Sequence, residues 1–223
     1  NPACTRFVMR EVSGVKADAP VPPWMSSRLR LAGVRSLSLP VDISNYVMLE
    51  TGQPLHFYDA DKVQGEIVVR RAAAGEKLVT LDGVERTLHP EDIVIADDSG
   101  VIGLAGVMGG ASTEVTDSTT RILVESARFD EVSVARTARR HKLISESSKR
   151  FERGVDPQIQ AAAAQRAVEL LVELAGAQVE PGVTDVSLGF ERVVIDLTAD
   201  YTAGRSGVDY SPEQIEWCLR EIG

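Results

Sequence analysis

Ile93-Val94-Ile95-Ala96-Asp97-Asp98-Ser99-Gly100-Val101-Ile102-Gly103-Leu104 sets two β-branched apolar runs around a polar turn. Runs of this kind read as paired strands. The same texture fills Glu66 to Met108: Ile67-Val68-Val69 is another β-branched run, and Asp82-Gly83 marks a tight hairpin turn. Helical patterns flank this stretch. Phe7 to Val15 reads as an extended strand, and Val21-Pro22-Pro23 leads into a short helix, Trp24 to Leu31, that stops at Gly33. Asp42 is expected to cap a second helix, with Ile43, Tyr46 and Val47 on one face, Gly52 as its stop and Pro54 beyond. His56 follows in the loop or strand that leaves it.

Downstream, Ile122-Leu123-Val124 reads as a strand with Glu125 at its end. Asp130 is an N-cap for a helix to about Arg140, with Phe129 and Val134 spaced as a hydrophobic staple. Asp156-Pro157 is expected to open a long helix whose stripe is Ile159, Ala163, Leu170, Leu171 and Leu174, ended by Gly176. The sum is an α+β fold: a mixed, short-stranded sheet, with curling toward a barrel left open, packed with several helices. After about Phe190 a new unit is expected. Val193-Val194-Ile195 reads as a strand, and Ser211-Pro212-Glu213-Gln214 is a capping box that opens a helix to Glu221. This tail is too short to bury its own core. The expected division is therefore 1–190 as one module and 191–223 as the truncated beginning of another.

Composition excludes several classes. With 223 residues and 43% hydrophobic content, one sizeable core or two small ones are available. No apolar run reaches the roughly 18 residues that span a membrane, and the start, Asn1 to Arg6, lacks a signal-peptide pattern. The cysteines, Cys4 and Cys218, are remote from each other, which fits a reducing, cytoplasmic setting and no metal spacing. A net charge of −9 argues against a long nucleic-acid footprint but allows contact with a few nucleotides. The basic cluster Arg136, Arg139-Arg140-His141-Lys142, Lys149-Arg150 and Arg153 is either a phosphate patch or a solvated helix face.

No nucleophile elbow, phosphate loop or zincin motif occurs. The glycine-rich Gly103-Leu-Ala-Gly106-Val-Met-Gly109-Gly110 either admits a substrate close to the backbone or is a strand with a bulge and turn. His56 can orient or deprotonate water, or be an ordinary hydrogen-bonded histidine. Glu125 follows an apolar run, so its carboxylate is partly buried and needs a partner or a purpose; a structural ion pair is the alternative.

Motifs decide what periodicity leaves open. Val41-Asp-Ile-Ser-Asn45-Tyr-Val-Met-Leu-Glu-Thr-Gly-Gln-Pro-Leu-His56-Phe-Tyr-Asp59 closely resembles the beta subunit of bacterial phenylalanyl-tRNA synthetases. So do Gly103 to Gly110, Val124-Glu125-Ser-Ala, Ala138-Arg-Arg-His141 and Arg150-Phe-Glu-Arg-Gly-Val-Asp-Pro157, in the family's order and spacing. The resemblance covers about residues 3 to 190, with the tail resembling the start of the next beta-subunit domain.

The resemblance implies a proofreading module that hydrolyses tyrosine wrongly esterified to the 3′ end of tRNA(Phe). The alternative is a non-catalytic scaffold or tRNA-binding module of the same subunit. It implies an alpha subunit as partner, in a heterotetramer of two alpha and two beta chains, with ATP and Mg²⁺ used by the whole enzyme and no cofactor or metal in this fragment. By motif matching, Glu125 accepts the tyrosine hydroxyl and His56 positions water near the ester. Asn45 lies on the pocket wall, Gly106 and Gly109 form its backbone, and Ser145 stands where the family often has threonine. Ser147 departs from the family, where many members have alanine. It adds a donor and an acceptor, and retention of tyrosine selectivity is the expectation.

Overall fold

The computed structural model describes residues 2–222, so Asn1 and Gly223 lie outside the described residues. Strand β1 (Cys4–Ser13) is followed by helices α1 (Pro23–Leu31) and α2 (Leu39–Thr51) and by β2 (Leu55–Asp59). The β-rich stretch gives β3 (Val68–Arg71), β4 (Lys77–Val79), β5 (Glu85–Thr87), β6 (Ile93–Asp97), β7 (Gly100–Leu104) and β8 (Met108–Gly109). Then come β9 (Ile122–Phe129), α3 (Glu131–Arg140), α4 (Glu146–Phe151), α5 (Gln160–Ala175), β10 (Gln178–Val179) and β11 (Thr184–Ser187). Helices α6 (Ala199–Ser206) and α7 (Pro212–Glu221) follow. The chain divides into two compact units, Asn1–Gly189 and Phe190–Gly223.

In the first unit the larger sheet has the order β10-β1-β9-β2, with β11 also on β1; a second sheet runs β3-β6-β7-β8, and β4 pairs with β5. The α+β class holds. The sheets stay open, with no closed barrel among the described residues, and every pairing is antiparallel. Tight turns explain the direction: Gly83, at φ 76°, lets β4 fold straight back onto β5.

The larger sheet is covered on both faces. Val8, Val12, Phe57, Ile122 and Val124 pack on Met25 and Leu29 of α1, Ile43 and Val47 of α2, and Leu170 and Leu171 of α5. The opposite face presents Tyr58, Ala127 and Phe129 to Ile93 and Ile95 of β6, Ile102 and Leu104 of β7, and Val134 and Phe151 of α3 and α4. Alternate residues of one strand thus enter two different cores.

Several boundaries differ from those read in the sequence. Helix α2 starts at Leu39, with Ser38 as N-cap and Pro40 in its first turn, so Asp42 does not cap it. Asp42 is buried within that turn, reaching back to accept from the Leu37 N–H at 2.9 Å. Strand β9 runs through Glu125 to Phe129, which places Glu125 mid-strand; Ala127 and Phe129 continue the alternation past it. Asp156 accepts from the Gln158 N–H at 2.7 Å in a local turn, and α5 begins only at Gln160. In the second unit Val193-Val194-Ile195 is exposed and forms no strand, whereas α7 opens on the Ser211–Gln214 capping box as read.

Asp92 fastens α3 to the β6 side of the fold. Its fully buried carboxylate accepts from the His89 N–H at 2.9 Å and Thr137 Oγ1 at 3.1 Å, meets His141 Nε2 at 2.7 Å, and pairs with Arg140. Burial alone would raise this carboxyl; hydrogen bonds from His141 and the His89 backbone, with Arg140 beside it, hold it below its usual value. Removing one member strands the others. Asp92→Ala is expected to cost about 3 kcal/mol, read as a lower urea midpoint at unchanged m-value; a loss within experimental error would show that α3 docks without this cluster.

Candidate functional site

A cavity of about 240 Å³ opens between the larger sheet and the β7–β8 hairpin. Asn45, His56, Gly106, Gly109, Glu125, Ser145 and Ser147 all line it. Residues far apart in the chain, on α2, β2, the β7–β8 turn, β9 and α4, thus converge on one space. His56 and Glu125 meet because they are register partners on β2 and β9. Tyr58, two residues along β2, points to the same side, and its hydroxyl donates to Glu125 Oε2. The His56 and Tyr58 rings pack edge to face, centroids 4.4 Å apart.

Gln53 secures this register. Its Nε2 donates to the Pro54 carbonyl at 2.8 Å and to the Ala127 carbonyl of β9 at 2.9 Å, while Gln160 of α5 donates to its Oε1 at 2.9 Å. Both glutamines are fully buried.

Burial sets the protonation of the site. It pushes the Glu125 carboxyl up to about 7, against the lowering effect of the Tyr58 hydrogen bond. It pushes His56 down to about 4, so the imidazole is neutral near pH 7. His56 Nε2 has no hydrogen-bond partner among the described residues. A neutral ring of such low basicity orients a water better than it deprotonates one. Tyr58 is held well above the usual phenol range, by burial and then by Glu125, so it remains a donor.

The two glycines serve different needs. Gly106 has φ 70°, a left-handed turn conformation, and a Cβ there would lie 3.0 Å from both Phe151 and Val134. Gly109 has ordinary backbone, but a Cβ would lie 2.6 Å from His56 Nε2. Its missing side chain is the space the imidazole occupies. Ser145 is the N-cap of α4, and its Oγ accepts from the Ser148 N–H at 3.0 Å. Ser145 Oγ also donates to the Val107 carbonyl and Ser147 Oγ to the Gly106 carbonyl, each at 3.2 Å. Both serines therefore stitch α4 to the glycine-rich turn while facing the cavity.

Residues 3–176 match the family model of the B3/4 domain. The chain belongs to the B3/4 domain family. It is similar to the phenylalanine–tRNA ligase beta subunit of Streptomyces avermitilis, 56% identical over 223 residues, covering 99% of this chain and 27% of that protein. It is also 57% identical over 217 residues to the beta subunit of Leifsonia xyli subsp. xyli, covering 97% of this chain and 26% of that protein. The chain thus spans about a quarter of the length of these relatives. The crystal structure of an N-terminal fragment of the phenylalanyl-tRNA synthetase beta subunit from Pyrococcus horikoshii shares the fold, with a TM-score of 0.52 at 14% identity, over 99% of this chain and 61% of that one. The resemblance carried by the sequence motifs is borne out.

The B3/4 domain also holds what sequence reading missed. Tyr58 went unnoticed as a site residue, although its i+2 spacing from His56 signals a shared strand face. Helix α4 was not anticipated; its capping box, Ser145 with Ser148, is the signal that was there. The basic cluster does not survive as one patch. Arg140 and His141 turn onto Asp92, while Lys149 and Arg150 pair with Glu146 at 2.8 and 2.9 Å. Arg139 reaches Glu152 at 3.9 Å, and Arg136, Lys142 and Arg153 are exposed without a salt bridge among the described residues. Only Lys149 and Arg150 find their acid one helical turn away.

Two outcomes are expected of this geometry. Glu125 has a folded-state pKa raised from 4.5 to about 7, so the stability linked to its protonated form is present below 4.5 and is lost as pH rises through about 7. Glu125→Gln should therefore stabilise the domain at pH 8 by roughly 1–3 kcal/mol and have little effect at pH 4; equal urea midpoints at pH 8 would contradict a buried, titrating carboxylate. Gly109→Ala should displace the His56 ring, moving its ¹H–¹⁵N imidazole resonances and its titration toward 6.5, at about 1–3 kcal/mol of overpacking cost. An unmoved titration would mean the hairpin yields instead of the ring.

Proposed function

We propose that this chain is the proofreading part of a phenylalanine–tRNA ligase beta subunit and that its cavity hydrolyses the ester joining tyrosine to the 3′ end of tRNA(Phe). The observation that carries the reading is the Glu125 carboxylate, buried mid-strand in a ligand-sized cavity beside a neutral histidine. A buried carboxylate that destabilises the fold at neutral pH is characteristic of a working group. The similarity to beta subunits over nearly the whole chain supports the same assignment.

The chemistry follows from the groups present. The phenol of tyrosine donates to Glu125, whose other oxygen is held by Tyr58. Phenylalanine would fill the same space and leave that acceptor unpaired, a penalty of about 1–3 kcal/mol. A pocket selecting phenylalanine by shape rejects an added hydroxyl by only about 10², so a second pocket that requires the hydroxyl corrects its errors. At the ester a water attacks the carbonyl carbon, and His56 is the residue assigned to position it, by a turn of the ring that brings Nε2 out from behind Gly109. The carbon–ribose oxygen bond breaks, the proton passes to the ribose oxygen, and tyrosine is released. Asn45 supplies an amide to the wall, and Ser147 spends its proton on Gly106, leaving tyrosine selectivity intact.

Residues 1–190 are assigned to the proofreading module and 191–223 to the start of the next domain, supported by the break between Gly189 and Phe190. Within the whole enzyme we place this chain in a cytoplasmic heterotetramer of two alpha and two beta subunits, receiving only the tRNA terminus. The Mg²⁺ and ATP of aminoacylation are assigned to the whole enzyme. The glycine-rich Gly103 to Gly110 has no lysine, and no group of three or more His, Cys, Asp or Glu among the described residues could hold a metal. Among the described residues no helix is long and apolar enough to cross a membrane.

The test is deacylation of tyrosyl-tRNA(Phe) by the full synthetase. Glu125→Ala is expected to lower tyrosine release by about 10- to 100-fold, as loss of a hydrogen bond to a charged group implies, with aminoacylation intact. Equal release by wild type and variant would remove Glu125 from the reaction. Release by neither would leave the domain as a scaffold.

A further inference from the structure

The floor of the cavity holds three functional groups, the Glu125 carboxylate, the His56 ring and the Tyr58 hydroxyl, and the reaction above gives a direct task to the first two only. Tyr58 is fully buried. A phenylalanine would fill that volume without setting a second polar group beside a carboxylate. Glu125 Oε2 is taken by the Tyr58 hydroxyl, and Oε1 has no protein hydrogen bond among the described residues. We infer that Tyr58 is a positioning residue for ligand recognition: its hydroxyl fixes Oε2 of Glu125 so that Oε1 faces the cavity as the acceptor for an incoming phenol. The inference rests on the tyrosine-ester reading and names the residue that sets its selectivity.

The geometry is that of a strand pair. His56 stands opposite Glu125 in register, Tyr58 opposite Leu123, and the Tyr58 ring leans one pleat along to reach Glu125 diagonally. A glutamate's terminal torsion is broad, so without this tether the two oxygens exchange places freely. The tether is also the one hydrogen-bond donor on Glu125 among the described residues. No lysine or arginine lines the cavity. From β1 come Met9, its register partner, and Cys4, whose thiol burial and then Glu125 push up to about 12, leaving it neutral. His56 on β2 is neutral, Asn45 on α2 is uncharged, and Glu146 on α4 is held anionic by Lys149 and Arg150. Nothing else nearby favours the ionised form of Glu125, so the Tyr58 hydroxyl keeps Oε1 an acceptor near neutral pH.

The experiment follows hydrolysis of tyrosyl-tRNA(Phe) by the full synthetase against pH, uncatalysed ester loss subtracted, for wild type, Tyr58→Phe, Glu125→Gln and the double variant. A ¹³C NMR titration of the Glu125 carboxyl in this chain runs beside it. Tyr58→Phe should reduce kcat/KM at pH 7 by about fivefold, the loss of ionised carboxylate caused by a tenfold rise in proton affinity from about 7. Activity should recover toward higher pH, and the NMR midpoint should rise with it. In the Glu125→Gln background the same change should have no further effect. A Tyr58→Phe profile with the wild-type midpoint, or an equal loss in the Glu125→Gln background, overturns the inference. If wild-type synthetase releases no tyrosine, the ester reading fails; the titration then decides on its own, and an unmoved Glu125 midpoint in Tyr58→Phe overturns the role of Tyr58.

Discussion

A carboxylate set in the middle of a strand that is paired on both edges and covered on both faces constrains everything around it. β9 has β1 on one side and β2 on the other, a helical layer below and a second sheet above. Glu125 therefore cannot turn toward bulk water, and the protein must either neutralise it or supply donors. An arginine would settle the matter as a structural ion pair. None lines the cavity; a phenol is present instead, and the carboxyl sits near 7. A phenol satisfies one oxygen and leaves charge and acceptor capacity for another donor.

The rest of the first unit positions that group. Strand alternation aims Tyr58 and Glu125 to one side while Phe57 and Val124 fill the other core, so one pairing register serves both layers. The buried amides of Gln53 and Gln160 hold this register from the helical side. From the other side, Gly109 yields room for the His56 ring, and Ser145 and Ser147 tie α4 to the turn at Gly106. The site depends on these contacts agreeing to a fraction of an ångström, which rigid elements supply better than loops.

Much of this was legible in the sequence, for identifiable reasons. Local signals with their own chemistry held: the Asp130 cap with its Phe129–Val134 staple, the Gly52 and Gly176 stops at positive φ, and the Asp82-Gly83 turn. What failed depended on tertiary context. Glu125 read as a strand end because an acid interrupts an apolar run; the second sheet packed above buries it, and the Tyr58 hydroxyl from the neighbouring strand makes the buried acid tolerable. Val193-Val194-Ile195 has strand propensity but no partner strand, and propensity without a partner forms nothing. The basic cluster dissolved because folding brings Asp92 to Arg140 and His141, while Glu146, one helical turn away, takes Lys149 and Arg150. The motif residues came together in one cavity although periodicity alone left each of them ambiguous.

Selectivity and destabilisation share one origin here. A fully ionised, well-paired Glu125 would be comfortable without ligand and indifferent to whether a phenol arrives. A fully protonated one would offer a donor and compete poorly for another donor. Holding the carboxyl near 7, with one oxygen tied to Tyr58, leaves it improved by a ligand that brings a hydroxyl and worsened by one that brings only a ring. His56 completes the logic from the neighbouring strand. Burial strips it of charge, so it neither neutralises Glu125 nor repels a cationic α-amino group, and its Nε2 is enclosed beside Gly109 without a hydrogen-bond partner among the described residues. The stability given up by burying a half-satisfied carboxylate beside an unpartnered imidazole is what lets the cavity respond to one oxygen atom.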